Sequence, residues 1–218
     1  MRKFRILLLI LASAACTFGA QAAGPEIGTL MERARDLFDY GRWSDARHEF
    51  LRAKAALTPS DRLLAQEVEF YLAACAVELG SADAEGALRE FDERYPGSVY
   101  ANDVRFALGS FYCSAGNMKK AREAFEKTDY RALSAPRREQ YDIRMGYVEF
   151  GDGNYAKAYG YFDRIGSRSE YVDHARYYKA YIDYAEGRYG RAKQGFETLA
   201  RSDAYGDVVP YYLLHRIF

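Results

Sequence analysis

The chain has 218 residues with 31 basic and 31 acidic side chains, a formal charge of zero, so it carries no electrostatic footprint for nucleic acid. It is 49% hydrophobic and 28% charged, which excludes a compositionally disordered chain and suits one globular domain or one short repeat array. Its 20 Tyr residues are an unusual load.

The N-terminus carries a targeting pattern. Met1-Arg2-Lys3-Phe4-Arg5 is basic, Ile6 to Ala15 is an apolar run of ten residues, and Ala20-Gln21-Ala22 is a small-x-small cleavage site. Residues 1–22 therefore read as a signal peptide, with a mature chain 23–218. The apolar run is too short for a membrane span. Cys16 follows Ala14-Ala15 as a lipid-attachment cysteine does, but Ser13 stands where Leu is expected, so ordinary cleavage is the expectation. Membrane association is expected only through a lipidated Cys16 or through a partner. Removing 1–22 takes away Arg2, Lys3 and Arg5 and no acid, which moves the formal charge from zero to minus three. No basic amphipathic stretch points to a membrane surface.

Past the leader, Gly24, Pro25 and Gly28 mark a lead-in over residues 24–30. Leu30, Met31, Ala34, Leu37 and Phe38 then show the i, i+3, i+4, i+7 spacing of an amphipathic helix, which Gly41 ends. Ser44 is placed to cap the next helix, which carries Ala46, Phe50, Ala53 and Leu57 on one face, and Thr58-Pro59-Ser60-Asp61 breaks it. A second unit follows, with a helix from Leu63 to Leu79, a lengthened turn at Gly80-Ser-Ala-Asp83, and Ala87 and Phe91 on the second helix. The third runs from Val99 through Gly116 to about Tyr130. The fourth has Pro136 in its first turn and Gly153 at its bend, and the fifth runs from Val172 through Gly187 to Leu199. The unit limits are approximately 27–60, 62–97, 99–133, 136–168 and 171–203, with a partial sixth at 205–218. Pro210 to Phe218 reads as the first helix of that sixth unit. It is either part of a longer array, the favoured expectation, or a helix that caps unit five.

One phrase recurs through these units: Gly, a polar residue, an aromatic or Met, two residues, Ala, three residues, Phe. It appears as Gly41/Ala46/Phe50, Gly116/Ala121/Phe125, Gly153/Ala158/Phe162 and Gly187/Ala192/Phe196, with Ala87/Phe91 as a partial copy. The Ala positions are 41, 34, 37 and 34 residues apart, a period that marks a repeat architecture of helix pairs. Gly permits the positive φ of a tight turn, Ala lets the two helices approach closely, and Phe fills the gap against the neighbour.

With Leu108-Gly109-x2-Tyr112 before Gly116, the pattern resembles the tetratricopeptide repeat (TPR) family, and the Tyr95-Pro-Gly-Ser98 ending resembles TPR proteins of the bacterial envelope. The resemblance implies an all-α, right-handed superhelical solenoid of antiparallel helix pairs, about five units plus a partial sixth. It also implies a concave groove lined by the first helix of each pair. Carried over residue by residue, that groove presents Ile143, Tyr147 and Phe150 in unit four and His174, Tyr177, Tyr181 and Tyr184 in unit five. Unit three adds Phe106, Ser110 and Cys113, and unit one Met31, Arg35 and Phe38. Two readings of the tyrosines stay open: peptide capture, for which a large ring with a polar tip is suited, or packing between neighbouring helices.

No catalytic pattern is present. His48, His174 and His215 are far apart in sequence, and serine nucleophile elbows, phosphate-binding glycine loops and HExxH are absent. The acids, as in Ala121-Arg-Glu123 and Arg137-Arg-Glu139, are expected on solvated helix faces beside basic partners. Cys75 and Cys113 are expected as two small buried residues; export would permit a disulfide between them. No CxxC and no Cys/His cluster signals a metal, and no cofactor is implied. The expectation is a non-catalytic scaffold that binds other proteins or peptides in the periplasm or on the periplasmic face of the outer membrane. The alternatives are the binding arm of a larger chain, a structural component of an outer-membrane or cell-wall assembly, or a glycan binder.

Overall fold

The computed structural model describes residues 25–202. The leader with Cys16, and residues 203–218 with His215, lie outside the described residues. Two compact units divide the chain, Met1–Phe111 and Tyr112–Phe218.

The described residues form ten α-helices and no strand. They are α1 (Pro25–Asp39), α2 (Trp43–Ala56), α3 (Arg62–Glu78), α4 (Ala84–Arg94), α5 (Ala101–Ser114), α6 (Met118–Glu126), α7 (Ala135–Gly151), α8 (Tyr155–Phe162), α9 (Val172–Ala185) and α10 (Tyr189–Leu199). A short 3-10 turn at Tyr130–Ala132 separates α6 from α7. In the first unit α1 packs on α2, α2 on α3 and α3 on α4; in the second α6 packs on α7, α7 on α8, α8 on α9 and α9 on α10.

Five glycines at the bends have φ between 63° and 77°: Gly41, Gly80, Gly116, Gly153 and Gly187. Each closes the helix before it in the same way. The Gly41 N–H donates to the Phe38 carbonyl and the next N–H, of Arg42, to the Leu37 carbonyl, both at 2.9 Å. The pair of bonds satisfies two orphan carbonyls and requires a left-handed residue, which glycine adopts without a Cβ clash. The residue after the glycine then begins the next helix: the Ala46 N–H donates to the Arg42 carbonyl, and Asn117, Asn154 and Arg188 serve likewise for Ala121, Ala158 and Ala192. One glycine thus ends one helix and sets the start of its partner.

This geometry corrects several local expectations. Ser44, predicted to cap α2, lies inside its first turn, because Arg42 already holds the cap position behind Gly41. Residues 25–30, predicted as a lead-in, are the first turns of α1, with Ile27 and Leu30 buried and so drawn into the helix face. The third unit's second helix stops at Glu126 rather than near Tyr130, where Asp129 accepts the Arg131 N–H at 2.9 Å and starts the 3-10 turn instead.

Ala46, Ala121, Ala158 and Ala192 are fully buried, as are Phe50, Phe125 and Phe196, with Phe162 at 1% exposure and Phe91 at 2%. Ala87 is the exception, half-buried rather than buried. Two extra residues in the Gly80–Asp83 turn roll α4 about its axis. Leu88 is buried, whereas the equivalent Arg47, Arg122, Tyr159 and Lys193 are half-buried.

Pairs close at small residues. A Cβ on Gly146 of α7 would meet the Phe162 ring of α8 at 2.4 Å, and one on Gly195 of α10 would meet the Ala180 Cβ of α9 at 2.7 Å. Successive pairs are joined by a ring clamp that occurs once in each unit. In the first, Tyr71 of α3 stacks on Phe50 (4.8 Å, 9°) and meets Phe38 edge-on (5.3 Å). In the second, Tyr178 of α9 stacks on Phe162 (5.3 Å, 19°) and meets Phe150 edge-on (4.8 Å). The clamp residues stand at matched positions: three before a bend glycine, at the phrase Phe, and nine before the next bend glycine.

Candidate functional site

The half-buried faces of α7 and α9, both in the second unit, hold the densest cluster of aromatic rings among the described residues. On α7 the half-buried stripe is Gln140, Arg144 and Tyr147, with Phe150 on its flank; on α9 it is His174, Tyr177, Tyr181 and Tyr184. Helical spacing of three and four residues puts each set on one side of its helix. The two stripes meet through rings: Tyr147 and Tyr178 are 4.9 Å apart between centroids, and Phe150 and Tyr181 are 5.4 Å apart. Tyr177 contacts Tyr178 at 5.3 Å and Phe196 at 6.2 Å, and Tyr184 contacts Tyr189 of α10 at 5.7 Å. Edge-on and tilted contacts of this kind add to area burial and hold the rings in fixed orientations.

The predicted groove residues thus divide. Tyr147, Phe150, His174, Tyr177, Tyr181 and Tyr184 are half-buried, packed on one side and open on another. Ile143 is buried in the core with Ala158, Phe162, Ala175 and Ile182, and presents nothing to a partner. The same correction applies to Met31, Phe38, Phe106 and Ser110, which are all buried. The Ser110 hydroxyl is spent on the Phe106 carbonyl at 2.9 Å, inside its own helix. Arg35 is held by Glu67 at 2.6 Å.

Two residues of this face escape the sequence reading. Tyr178 is the hub of the second ring clamp, and its signal was its place nine before Gly187. Arg144 takes the equivalent place nine before Gly153, while Cys113 stands three before Gly116, so an arginine and a cysteine occupy ring positions of the clamp. The Arg144 guanidinium donates to the Gln140 carbonyl at 3.1 Å and to its Oε1 at 3.3 Å. Burial lowers its pKa, partly opposed by Tyr171, Cys113 and Tyr147. Burial pushes the Cys113 thiol up to about 11, with Arg144 pulling the other way. Cys75 and Cys113 are both free cysteines. Burial also holds the His174 imidazole below its ordinary value, against the pull of Asp173, so the neutral ring is favoured.

Most acids lie on solvated faces as expected, Glu123 exposed and Glu139 half-buried, but a few do not. Glu49, Asp142, Glu149 and Asp183 are buried. Each is held by a charged partner: Glu149 by Arg122, and also by the Asn154 amide at 2.9 Å; Asp183 by Arg188 at 2.6 Å; Glu49 by Arg52 at 2.9 Å. Asp142 accepts from the Tyr130 hydroxyl at 2.7 Å and from Arg164 at 3.1 Å, yet burial still raises its pKa. Pairing of this kind is what makes a buried carboxylate tolerable. A cleft of about 370 Å³ opens between α6 and α8 over α7, bordered by Arg122, Lys157, Arg164, Glu126, Tyr141 and Tyr161. Of its cations, Arg122 is paired with Glu149 and Arg164 with Asp142. Among the described residues no group of His, Cys, Asp and Glu is placed to hold a metal ion, and no helix is long and apolar enough to cross a membrane.

Helix pairs closed by a left-handed glycine, packed through a buried Ala and Phe and stacked on the next pair define a helical-repeat protein of the tetratricopeptide type, and the chain has that fold. Among solved structures it is similar to a tetratricopeptide repeat protein from Parabacteroides merdae, with a TM-score of 0.63 and 18% identity, over 89% of this chain and 73% of that one. Comparison with family models gives no match, and comparison with curated proteins gives none either.

Proposed function

We propose that the chain is a non-catalytic protein-interaction scaffold of the bacterial envelope that captures a peptide or partner protein on the α7–α9 face. The observation that carries this reading is the row of half-buried rings, Tyr147, Phe150, Tyr177, Tyr181 and Tyr184, on the first helices of two successive pairs. Rings already fixed by their neighbours lose little entropy on binding and offer broad contact area with a polar edge, which is how tyrosine-rich binding surfaces work. The leader-like residues 1–22 support export, to the periplasm or the periplasmic face of the outer membrane.

Tyr181 and Tyr184 test this best, because Tyr147 also braces Phe162 and Tyr178. The double variant Tyr181→Ala/Tyr184→Ala is expected to keep its helical circular dichroism and to lose the partner that wild-type protein retains from native envelope fractions. Undiminished capture by the folded variant would refute the α7–α9 site. Mass spectrometry of the mature N-terminus is expected to find Ala23, and a diacylated Cys16 would replace soluble export by membrane anchoring.

A further inference from the structure

Two linkers of the second unit converge on one buried acid. Tyr130 belongs to the 3-10 turn after α6, and Arg164 lies two residues past the end of α8. Asp142 of α7 accepts from the Tyr130 hydroxyl at 2.7 Å and from the Arg164 guanidinium at 3.1 Å. The guanidinium carbon of Arg164 stands over two rings, 4.9 Å from the centre of Tyr161 and 6.0 Å from that of Tyr130. Tyr141 contacts both of these rings, at 6.4 Å and 5.3 Å between centroids. Three rings beside a carboxylate are the elements of a cage for an organic cation, which the rings attract through their negative faces.

The chain fills this cage with its own Arg164 and holds it there loosely. The Arg164 side chain is 55% exposed, and its hydrogen bond is the 3.1 Å contact with Asp142. An exposed arginine forfeits little when it swings into water. Asp142, in contrast, is buried and depends on a cationic partner. The cage opens onto the cleft of about 370 Å³, which Tyr141, Tyr161 and Arg164 border together. That volume exceeds a guanidinium group and lies in the range of small-ligand sites. Glu126, on the α6 side of the cleft, is exposed and forms no ion pair among the described residues. A guanidinium suits this set better than an ammonium. It is flat, so it lies between Tyr130 and Tyr161 as Arg164 does, and it has several donors to share between Asp142 and Glu126. Lys157 borders the same cleft, also without an ion pair among the described residues. It offers a donor to the peptide carbonyls beside an incoming arginine, which a free guanidinium compound would leave unused.

We propose that Tyr130, Tyr141, Tyr161 and Asp142 form a guanidinium-binding cage that Arg164 keeps self-occupied, and that an arginine side chain of a partner protein takes its place with its stem in the cleft toward Glu126. The cage shares no residue with the α7–α9 face.

Isothermal titration of the full chain with acetyl-Gly-Arg-Gly-amide tests this, with the matching lysine and citrulline peptides beside it. Arg164→Gln empties the cage and is expected to bind the arginine peptide about tenfold more tightly than wild type does, with the lysine peptide weaker and the citrulline peptide not bound. Adding Asp142→Asn or Tyr161→Leu to Arg164→Gln is expected to remove the gain. Equal binding by Arg164→Gln and wild type overturns the proposal, as does equal binding of the arginine and citrulline peptides. Free arginine that binds as tightly as the peptide rejects the partner protein and gives the cage to a small guanidinium compound. If Arg164→Gln unfolds the second unit, the wild-type chain decides by NMR. Excess arginine peptide is expected to move the Arg164 side-chain N–H signal to its solvent-exposed position, and an unmoved signal rejects the displacement.

Discussion

In the first unit the second helices of neighbouring pairs are tied by ions held near the surface. In the second unit one such tie reaches a buried carboxylate. Glu69 of α3 receives Lys54 of α2 at 3.3 Å and Arg94 of α4 at 2.9 Å, and Arg47 of α2 reaches Asp83 at 2.8 Å, beside a shallow cleft of about 180 Å³ bordered by Ala87. In the second unit Arg122 of α6 meets Glu149, whose side chain is 3% exposed against 16% for Glu69. The pairs also differ in their bends: the one after Gly80 is two residues longer, and Ala87 is half-buried, whereas after Gly153 Ala158 is fully buried and Phe162 packs on Gly146. Ala87 and Ala158, at one position of the phrase, therefore differ in burial.

The sharpest way to break that comparison is to place the same large side chain at the same register position in both units. Ala158→Trp is expected to cost about 3 kcal/mol, because the site is fully buried and its neighbours cannot give way. Ala87→Trp is expected to cost about 1 kcal/mol or less, since the ring can turn into the cleft beside it. Urea unfolding followed by exchange within each unit separates the two. Equal losses would mean that the roll of α4 has no energetic consequence.

A smaller effect is expected from the ion pairs. Glu149→Ala strands the Arg122 guanidinium with Asp152 alone and is expected to cost about 2 kcal/mol, little altered by salt. Glu69→Ala removes a partner from two half-exposed cations and is expected to cost about 1 kcal/mol at low salt, and less at 0.5 M. Thermal unfolding across a salt series checks both, and a salt-sensitive Glu149 would put that pair in solvent contact.

The bend glycines, the buried Ala and Phe of each pair and the all-helical class were legible in sequence because they are local. A left-handed turn admits glycine and little else, and a helix face repeats every three to four residues. Ala87 was misplaced because its burial depends on the roll of α4, which the phrase does not encode. Ile143, Met31, Phe38, Phe106 and Ser110 were assigned to a groove by resemblance, yet they fall on the packing side by a rotation of about one residue, near 100° on a helix. That step separates Ile143 from Arg144. The burial of Asp142, Glu149 and Asp183 was hidden because their partners lie on other helices or beyond a bend. Arg122 is 27 residues from Glu149, and no i, i+4 pattern announces such a pair.

The smallest predicted effect concerns the two thiols, one in each unit. Burial raises Cys75 to about 12 and Cys113 to about 11, and Cys75 is fully buried where Cys113 is half-buried. At pH 8 the thiolate, which is the reactive form, is then about one part in ten thousand at Cys75 and about one in a thousand at Cys113. Iodoacetamide is accordingly expected to label Cys113 about tenfold faster than Cys75, and both far more slowly than a free thiol. The same shifts bear on stability. A thiol whose folded pKa lies above its unfolded value keeps its proton longer in the folded chain, so its contribution is complete below the unfolded value, near 8.5, and is lost as pH rises through about 11 for Cys113 and about 12 for Cys75. Replacing Cys113 by Ala should flatten the alkaline fall in stability of the second unit below pH 11 and leave that of the first unit unchanged. Faster labelling of Cys75 than of Cys113 would show that the first unit opens more readily than the second, and that local opening rather than thiolate fraction sets the rate.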